Sequence, residues 1–369
     1  MVILFDSVRR NALPFSSVTP GWIALLGSGE TAAAGGQWFE QIAAALPKPV
    51  HIAVMETPAG FELNARRVAE RVSEFLKIRL QNYRPRIETL SLRHRGGAFS
   101  TDDPALCQPL LDANLIYLGA GSPTYTARQL AGSLAWNLVQ ARHRLGATIG
   151  LASASAIAAG THALPVYEIF KAGMDLHWRT GLDLLGPFGL NLVIVSHWNN
   201  NDGGAELDTS RCFIGQERFE QLTAILPADS VILGLDEHTG LILDLEAAEC
   251  SVVGRDAVHI LREGQETEFH NGDTFPIQLL GNYRPLDDCS TGLPAAVFQQ
   301  AITAQQQAAD STSAPVEIPG RVQELVALRQ AAREAKQWSE SDRLRNEISV
   351  LGWLVKDTPA GPQLEPKVE

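Results

Sequence analysis

The chain has 369 residues, 45% of them hydrophobic and 7% aromatic, enough for one large domain with a buried core plus a small appendage. A formal net charge of −12 and a pI near 5.3 give no bulk attraction for nucleic acid or anionic lipid. Cys107, Cys212, Cys250 and Cys289 are scattered without a C-x-x-C pair, whereas a disulfide framework or structural zinc site would need clustered spacing, so they read as buried thiols in a reducing compartment.

The opening Met1 to Phe5 is too short for a signal h-region, and no run approaches the roughly 18 apolar residues of a membrane span. The expectation is a cytoplasmic protein with no membrane partner. After an N-terminal extension (1–20), short apolar runs alternate with helical patterns. Strands are expected at Trp22 to Leu26, His51 to Met55, Arg86 to Leu92, Leu115 to Leu118 and Thr148 to Ala152. Helices are expected at Gln37 to Leu46, Glu62 to Leu76 and Tyr125 to Arg144. Such alternation predicts an α/β fold with a mostly parallel sheet and helices on both faces. Ligands in these folds sit at the carboxyl ends of strands, so each loop just after a strand is a place for chemistry.

Beyond about residue 185 the strands shorten, at Asn191 to Val195, Val231 to Leu235, Leu241 to Leu245, Cys250 to Val253 and Ala257 to Leu261. This half reads as an antiparallel extension, with Asp236 to Gly240 and His270 to Asp273 as hairpin connections. Residues 291–319, rich in Ala, Gln, Ser, Thr and Pro, read as a linker. Residues 320–369 carry helical spacing at Val322, Leu325, Val326 and Leu328 and again at Leu344, Ile348 and Leu351, with Gly352 as a stop. The tail reads as a small helical hairpin with a short extended end.

The segment Thr148 to Gly160 places Ser153 between an apolar strand and an Ala-rich helix, among residues with almost no side chain. A nucleophile elbow needs that, because the serine occupies a tight, strained turn. The helix start would offer backbone N–H groups to a developing oxyanion. An ordinary strand-to-helix turn with a serine N-cap is an equal reading of this motif alone. His197, at the end of the apolar run Val193 to Val195 and opening a polar loop, adds a candidate base.

Together these residues resemble the dipeptidase E and cyanophycinase group of serine peptidases, whose fold is like class I glutamine amidotransferases. Gly27-Ser28-Gly29-Glu30 is similar to the group's first loop, and Leu118 to Thr124 to its Gly-Gly-Asn/Asp-Thr loop. Ala152 to Ser155 occupies its Ser-Ala-Gly elbow, and Ser196-His197-Trp198 its His-Phe element. Gly234 to Thr239 is close to a Gly-Ile-Asp-Glu-Asp-Thr run in cyanophycinases. The resemblance, over roughly residues 20 to 265, implies Ser153 as nucleophile and His197 as general base and acid. The third member would lie between them: Glu168 has the matching separation, and Asp175 is the fallback. Gly121 and Ala154 would form the oxyanion hole, and Arg218, with Arg211 nearby, would meet a substrate carboxylate. Leu151 and Ser155 depart from the elbow pattern, and Ser122 stands where the group has a substrate-gripping carboxamide or carboxylate. The implied activity is hydrolysis of a small peptide or amide, aspartyl-type in the group, with no metal or organic cofactor. A non-catalytic binding protein of the same fold is the alternative, and a homodimer stays open.

The tail carries a second resemblance. Leu325 to Arg329, Ala332-Arg333, Lys336 to Trp338, Ser341 to Arg345 and Asp357 to Gly361 are similar to the extreme C-terminus of cysteinyl-tRNA synthetases, with Leu364 in place of a final tryptophan. Its arginines alternate with carboxylates, the pattern of a solvated helix with i,i+4 pairs. A docking role is favoured over an adaptor acting on tRNA.

Overall fold

A computed structural model describes residues 19–313, 319–358 and 361–367. Nearly all of the expected N-terminal extension lies outside these residues. Two compact units divide the chain, Met1–Ala308 and Ala309–Glu369. No helix among the described residues is long and apolar enough to cross a membrane.

The first unit opens with β1 (Ile23–Leu26), α1 (Ala33–Ala45), β2 (His51–Met55), α2 (Ala65–Arg79), β3 (Arg86–Leu90) and α3 (Pro104–Cys107). There follow β4 (Leu115–Leu118), α4 (Pro123–Leu130), α5 (Leu134–Arg144), β5 (Thr148–Ala152) and α6 (Ala154–Ala158). A small pair, β6 (His162–Ala163) with β7 (Arg179–Thr180), flanks α7 (Val166–Phe170). Then come β8 (Leu192–Val195), α8 (Gln216–Ala224), β9 (Val231–Leu235), β10 (Thr239–Asp244), β11 (Glu249–Gly254), β12 (Ala257–Arg262), β13 (Gln265–His270), β14 (Thr274–Pro276) and α9 (Ala295–Ser313).

The main sheet has eight strands in the order β14-β11-β10-β1-β5-β4-β2-β3. From β1 to β3 every pairing is parallel, and β10, β11 and β14 add beyond β1, each antiparallel to its neighbour. Because side chains alternate across a strand, each strand feeds two cores. Ile23 and Leu25, Ala53 and Met55, and Ile116 and Leu118 pack on one face with Trp136 and Val139 of α5. Ala24 and Leu26, Ile52 and Val54, and Leu115 and Tyr117 pack on the other with Trp38, Phe39 and Leu76 of α1 and α2. Helices on both faces and a mostly parallel sheet are as the alternation predicted.

A second sheet, β13-β12-β9-β8, pairs β8 and β9 parallel and the rest antiparallel. Leu192 and Ile194 face the main core, whereas Val193 and Val195 face a third cluster with Trp198 and Phe219. Two expectations change here. Asp236 to Gly240 leads from β9 in the small sheet to β10 in the large one, and His270 to Asp273 leads from β13 to β14 likewise. Both are crossings between sheets, not hairpins. The antiparallel extension, expected to continue the main sheet or to flank it, does both: β10, β11 and β14 continue it, and β8, β9, β12 and β13 form a separate layer.

Two further boundaries differ from the sequence reading. The expected helix Tyr125 to Arg144 is two, broken at Gly132 (φ +68°), after which Ser133 caps α5 by accepting from Trp136 N. The expected linker 291–319 contains α9. Its spacing buries Phe298, Ala301 and Ile302 against the main core, so apolar periodicity prevails over the polar composition.

The second unit holds α10 (Gly320–Glu334) and α11 (Trp338–Val350), the expected helical hairpin, and then β15 (Trp353–Thr358) and β16 (Gly361–Pro366), an antiparallel ribbon that extends the expected end. Its own core gathers Val322, Leu325, Leu344, Ile348, Trp353 and Val355. The buried Arg329 grips Asp357 with two parallel hydrogen bonds of 2.8 Å, tying α10 to the ribbon.

Phe298 is 7% exposed on α9. Phe298→Ala should therefore cost about 3 kcal/mol in urea unfolding, at the low end for buried phenylalanines. A linker residue would give no measurable change.

Candidate active site

β5 is central in the large sheet, between β1 and β4, and the chain turns sharply at its end. Ser153 takes φ +52° and ψ −115°, a backbone that a side chain adopts only under constraint. Hydrogen bonds to three neighbouring elements supply that constraint. Ser153 N donates to Leu26 O at 2.9 Å, holding the turn to β1. The buried Ser155 Oγ accepts from Ala152 N at 3.0 Å and stands 2.6 Å from Leu118 O, clamping the turn to β4. Ser196 Oγ donates to Ser153 O at 3.1 Å. Ala152, Ala154 and Ala156 are buried around it, which is why the elbow needs small neighbours.

His197 follows β8 and also has a positive φ, +52°. Its carbonyl accepts from Cys212 N at 3.0 Å and Asn200 N at 3.2 Å. The next side chain, Trp198, lies on β9 at Gly234, where an added Cβ would come within 2.5 Å of the indole. Only glycine leaves room for the ring that fixes the histidine's backbone.

The two side chains meet. Ser153 Oγ and His197 Nε2 are 2.8 Å apart. His197 Nδ1 is 2.9 Å from Glu237 Oε1, and the same oxygen accepts from Asn200 Nδ2 at 3.0 Å. Glu237 N donates to Asn199 Oδ1 at 2.9 Å. The loop from Gly27 backs this crossing: Gly27 N donates to Thr239 O at 2.8 Å, and Ser28 Oγ accepts from His238 N at 3.2 Å. The hydrogen bond with His197 draws the Glu237 carboxyl down to about 2, against partial burial and with help from Asn200.

Glu237 thus stands where Glu168 was expected. Glu168, on α7, lines a neighbouring cavity of about 530 Å3 with Ser122, Arg128 and Tyr167, and its Oε2 has no hydrogen-bond partner among the described residues. Asp175, the fallback, is exposed, and its backbone oxygen faces His177 Nδ1. The sheet crossing brings an acid from after His197 instead. The signal was present in the Gly234 to Thr239 run, an acid just past a strand, but reading that stretch as a hairpin turn hid it.

Gly121 and Ala154 both line a cleft of about 190 Å3 with Ser153 and His197. Ala154 heads α6, so its N–H has no intrahelical acceptor. Gly121 has φ +153° and presses on Pro58, whose oxygen would lie 1.9 Å from an added Cβ. Ser122 is not in the cleft wall; its Oγ caps α4 by accepting from Tyr125 N at 3.2 Å. Arg218 is also elsewhere, its guanidinium donating to Ile214 O at 2.6 Å and Phe213 O at 3.2 Å. Arg211 stacks on Trp198, 3.9 Å from the ring centroid. The cation on the cleft is Lys171, among Ile157, Val166, Tyr167, Phe170 and Phe213. Cys212 lines it too, but burial pushes its thiol up to about 12, so it supplies no thiolate near neutrality.

A crystal structure of a peptidase from an acI-B1 Actinobacterium superposes with a TM-score of 0.55 and 23% identity, covering 70% of this chain and 97% of that one. At that identity the likeness establishes a shared fold. Residues 316–363 match the family described as the cysteinyl-tRNA ligase anticodon binding domain. Cysteine–tRNA ligase of Rubrobacter xylanophilus is 52% identical over 48 residues, 13% of this chain and 10% of that protein. That of Methanosarcina mazei is 43% identical over 53 residues, 14% and 11% respectively. The chain thus spans about a tenth of the length of these curated relatives, and the family match lies in the tail.

Two outcomes follow from the geometry. Ser155→Ala should leave Ser153 reactive toward a fluorophosphonate while lowering stability by about 1–3 kcal/mol, because Ala152 N loses a buried acceptor. Glu237 has its folded-state pKa depressed, so its contribution to stability is full above the unfolded carboxyl's value of about 4.3. That contribution is lost as pH falls toward about 2. The stability difference between parent and Glu237→Gln should therefore shrink as pH falls from 5 to 3, as read by urea melts.

Proposed function

We propose that the chain is a serine hydrolase of small peptides or amides, with Ser153 as nucleophile, His197 as general base and acid, and Glu237 as the orienting carboxylate. The observation that carries this reading is the unbroken line from Ser153 Oγ through His197 to Glu237, at 2.8 Å and 2.9 Å, on a strained elbow. His197 would take the Oγ proton as Oγ attacks the carbonyl carbon, while Glu237 stabilises the imidazolium. The N–H groups of Gly121 and Ala154 would hold the oxyanion. Collapse would expel the amine, protonated by His197, and water would then release the acyl group by the same route.

For the substrate, the cleft combines an apolar wall (Ile157, Val166, Phe170 and Phe213) with, among the described residues, the cation of Lys171. An amide bearing an apolar group and a carboxylate fits that lining. Lys171 is exposed and would meet the carboxylate as a point charge, without the bidentate grip expected of Arg218. For the tail, docking remains the better reading, because Arg321, Arg329, Arg333 and Arg343 are all in ion pairs within the tail itself. Arginines so engaged offer little to phosphates.

A fluorophosphonate should label the purified protein at Ser153, by peptide mass, and Ser153→Ala should remove both label and amide hydrolysis. Glu237→Gln should keep the fold and lower kcat on the order of 10^3–10^4-fold, since the wrong imidazole tautomer would face the serine. Unchanged hydrolysis in Ser153→Ala would refute the assignment.

A further inference from the structure

Behind the triad, on the small sheet, lies a cluster that the proposed reaction does not use. His259 on β12 is directly opposite Glu268 on β13, and Glu266 is the diagonal neighbour on the same face. His259 Nδ1 is 2.9 Å from Glu266 Oε1 and 3.7 Å from Glu268 Oε1, and one ligand atom from each residue lies within 4.8 Å of the others. Two donors on one first-row ion with bonds of about 2.0–2.2 Å are separated by about 3–3.5 Å, so the spacing suits a shared cation.

Two observations argue against an ordinary ion pair. His259 is 8% exposed, and neither of its ring nitrogens has an aligned hydrogen bond among the described residues. The imidazole stacks on Trp198 at 5.4 Å and 26° and therefore has little freedom to turn its N–H groups toward the acids. Nδ1 thus lies beside the carboxylate pair without completing a hydrogen bond, at a cost that a bound ion would remove. The charge balance agrees. The carboxylates of Glu266, Asp208, Asp236 and Glu268 all act electrostatically on the Arg211 guanidinium. Asp236 Oδ1, 3.2 Å from Nε2, is placed to hold the far side of the ring once Nδ1 ligates.

We propose that His259, Glu266 and Glu268 form a binding site for a borderline divalent cation, Zn2+ by preference. An imidazole nitrogen beside two carboxylates favours such an ion over Mg2+ or Ca2+, which take all-oxygen sites. Three protein ligands on the open edge of a sheet leave positions for water. The site braces the catalytic loops from behind: His259 stacks on Trp198, next to His197, and touches Asp236, next to Glu237.

The test is calorimetric titration of ZnCl2 into chelator-treated, full-length protein. The expected result is one equivalent bound, a melting temperature that rises with Zn2+ by mass action, and the same binding in Ser153→Ala. Glu266 and Glu268 are exposed, so Glu266→Gln/Glu268→Gln should fold normally yet bind Zn2+ at least tenfold more weakly and lose the thermal shift. No stoichiometric binding, or equal binding by parent and double variant, would overturn the proposal. Neither result bears on the serine mechanism, which labelling of Ser153 decides separately.

Discussion

At Ser153 the backbone is held in a conformation that costs on the order of 1–3 kcal/mol, and the surroundings leave it no alternative. Its amide is fixed to β1 through Leu26, the turn to β4 through Ser155, and its carbonyl to the residue before His197. Each tie comes from a different element, so the elbow requires the central strand, both its neighbours and the small sheet to be in register. The glycines at the site serve the same end. Gly27 lets the first loop press against the Asp236 backbone, and Gly234 lets Trp198 lie flat on β9. What looks like a local motif is a junction of two sheets.

That dependence explains which parts of the molecule could be read from its sequence. The parallel strands were legible because each is short, apolar and followed by a helical pattern, and their order follows from the alternation. Ser153 and His197 were legible because small residues around a strand-end serine, and a histidine at a strand end, leave a local imprint. Glu237 left an imprint as well, but its meaning depends on β9 and β10 belonging to different sheets, a tertiary fact no local pattern carries. The polar loop was equally consistent with a hairpin. Arg218 shows the opposite error. An arginine near the right loop was assigned to substrate, whereas its guanidinium reaches backbone carbonyls of its own turn. Composition likewise misled at 295–313, where Gln and Ala are as much at home on a helix packed along one stripe as in a linker.

The chain joins two units with different likenesses. The peptidase-like fold lies in the first unit and the synthetase-like likeness in the last fifty or so residues, each with its own hydrophobic cluster. The tail is held together by its own resources, chiefly the buried Arg329 on Asp357 and the packing of Trp353 and Val355 against its two helices. Its surface arginines are largely engaged with neighbouring carboxylates.

Ser153 hangs from the large sheet, His197 from the small one, and Glu237 from the crossing between them. The serine–histidine distance is therefore a gauge of how the two layers seat on each other. Leu192 and Ile194 transmit that seating, since they belong to the small sheet but pack into the core of the large one. A slip of half an ångström there leaves nearly every buried contact intact and so is almost silent in a melting curve. The same slip is a large fraction of the tolerance of a proton transfer across 2.8 Å. In this architecture, function would fail first and folding later, and substitutions deep between the layers would look catalytic although they touch no catalytic group.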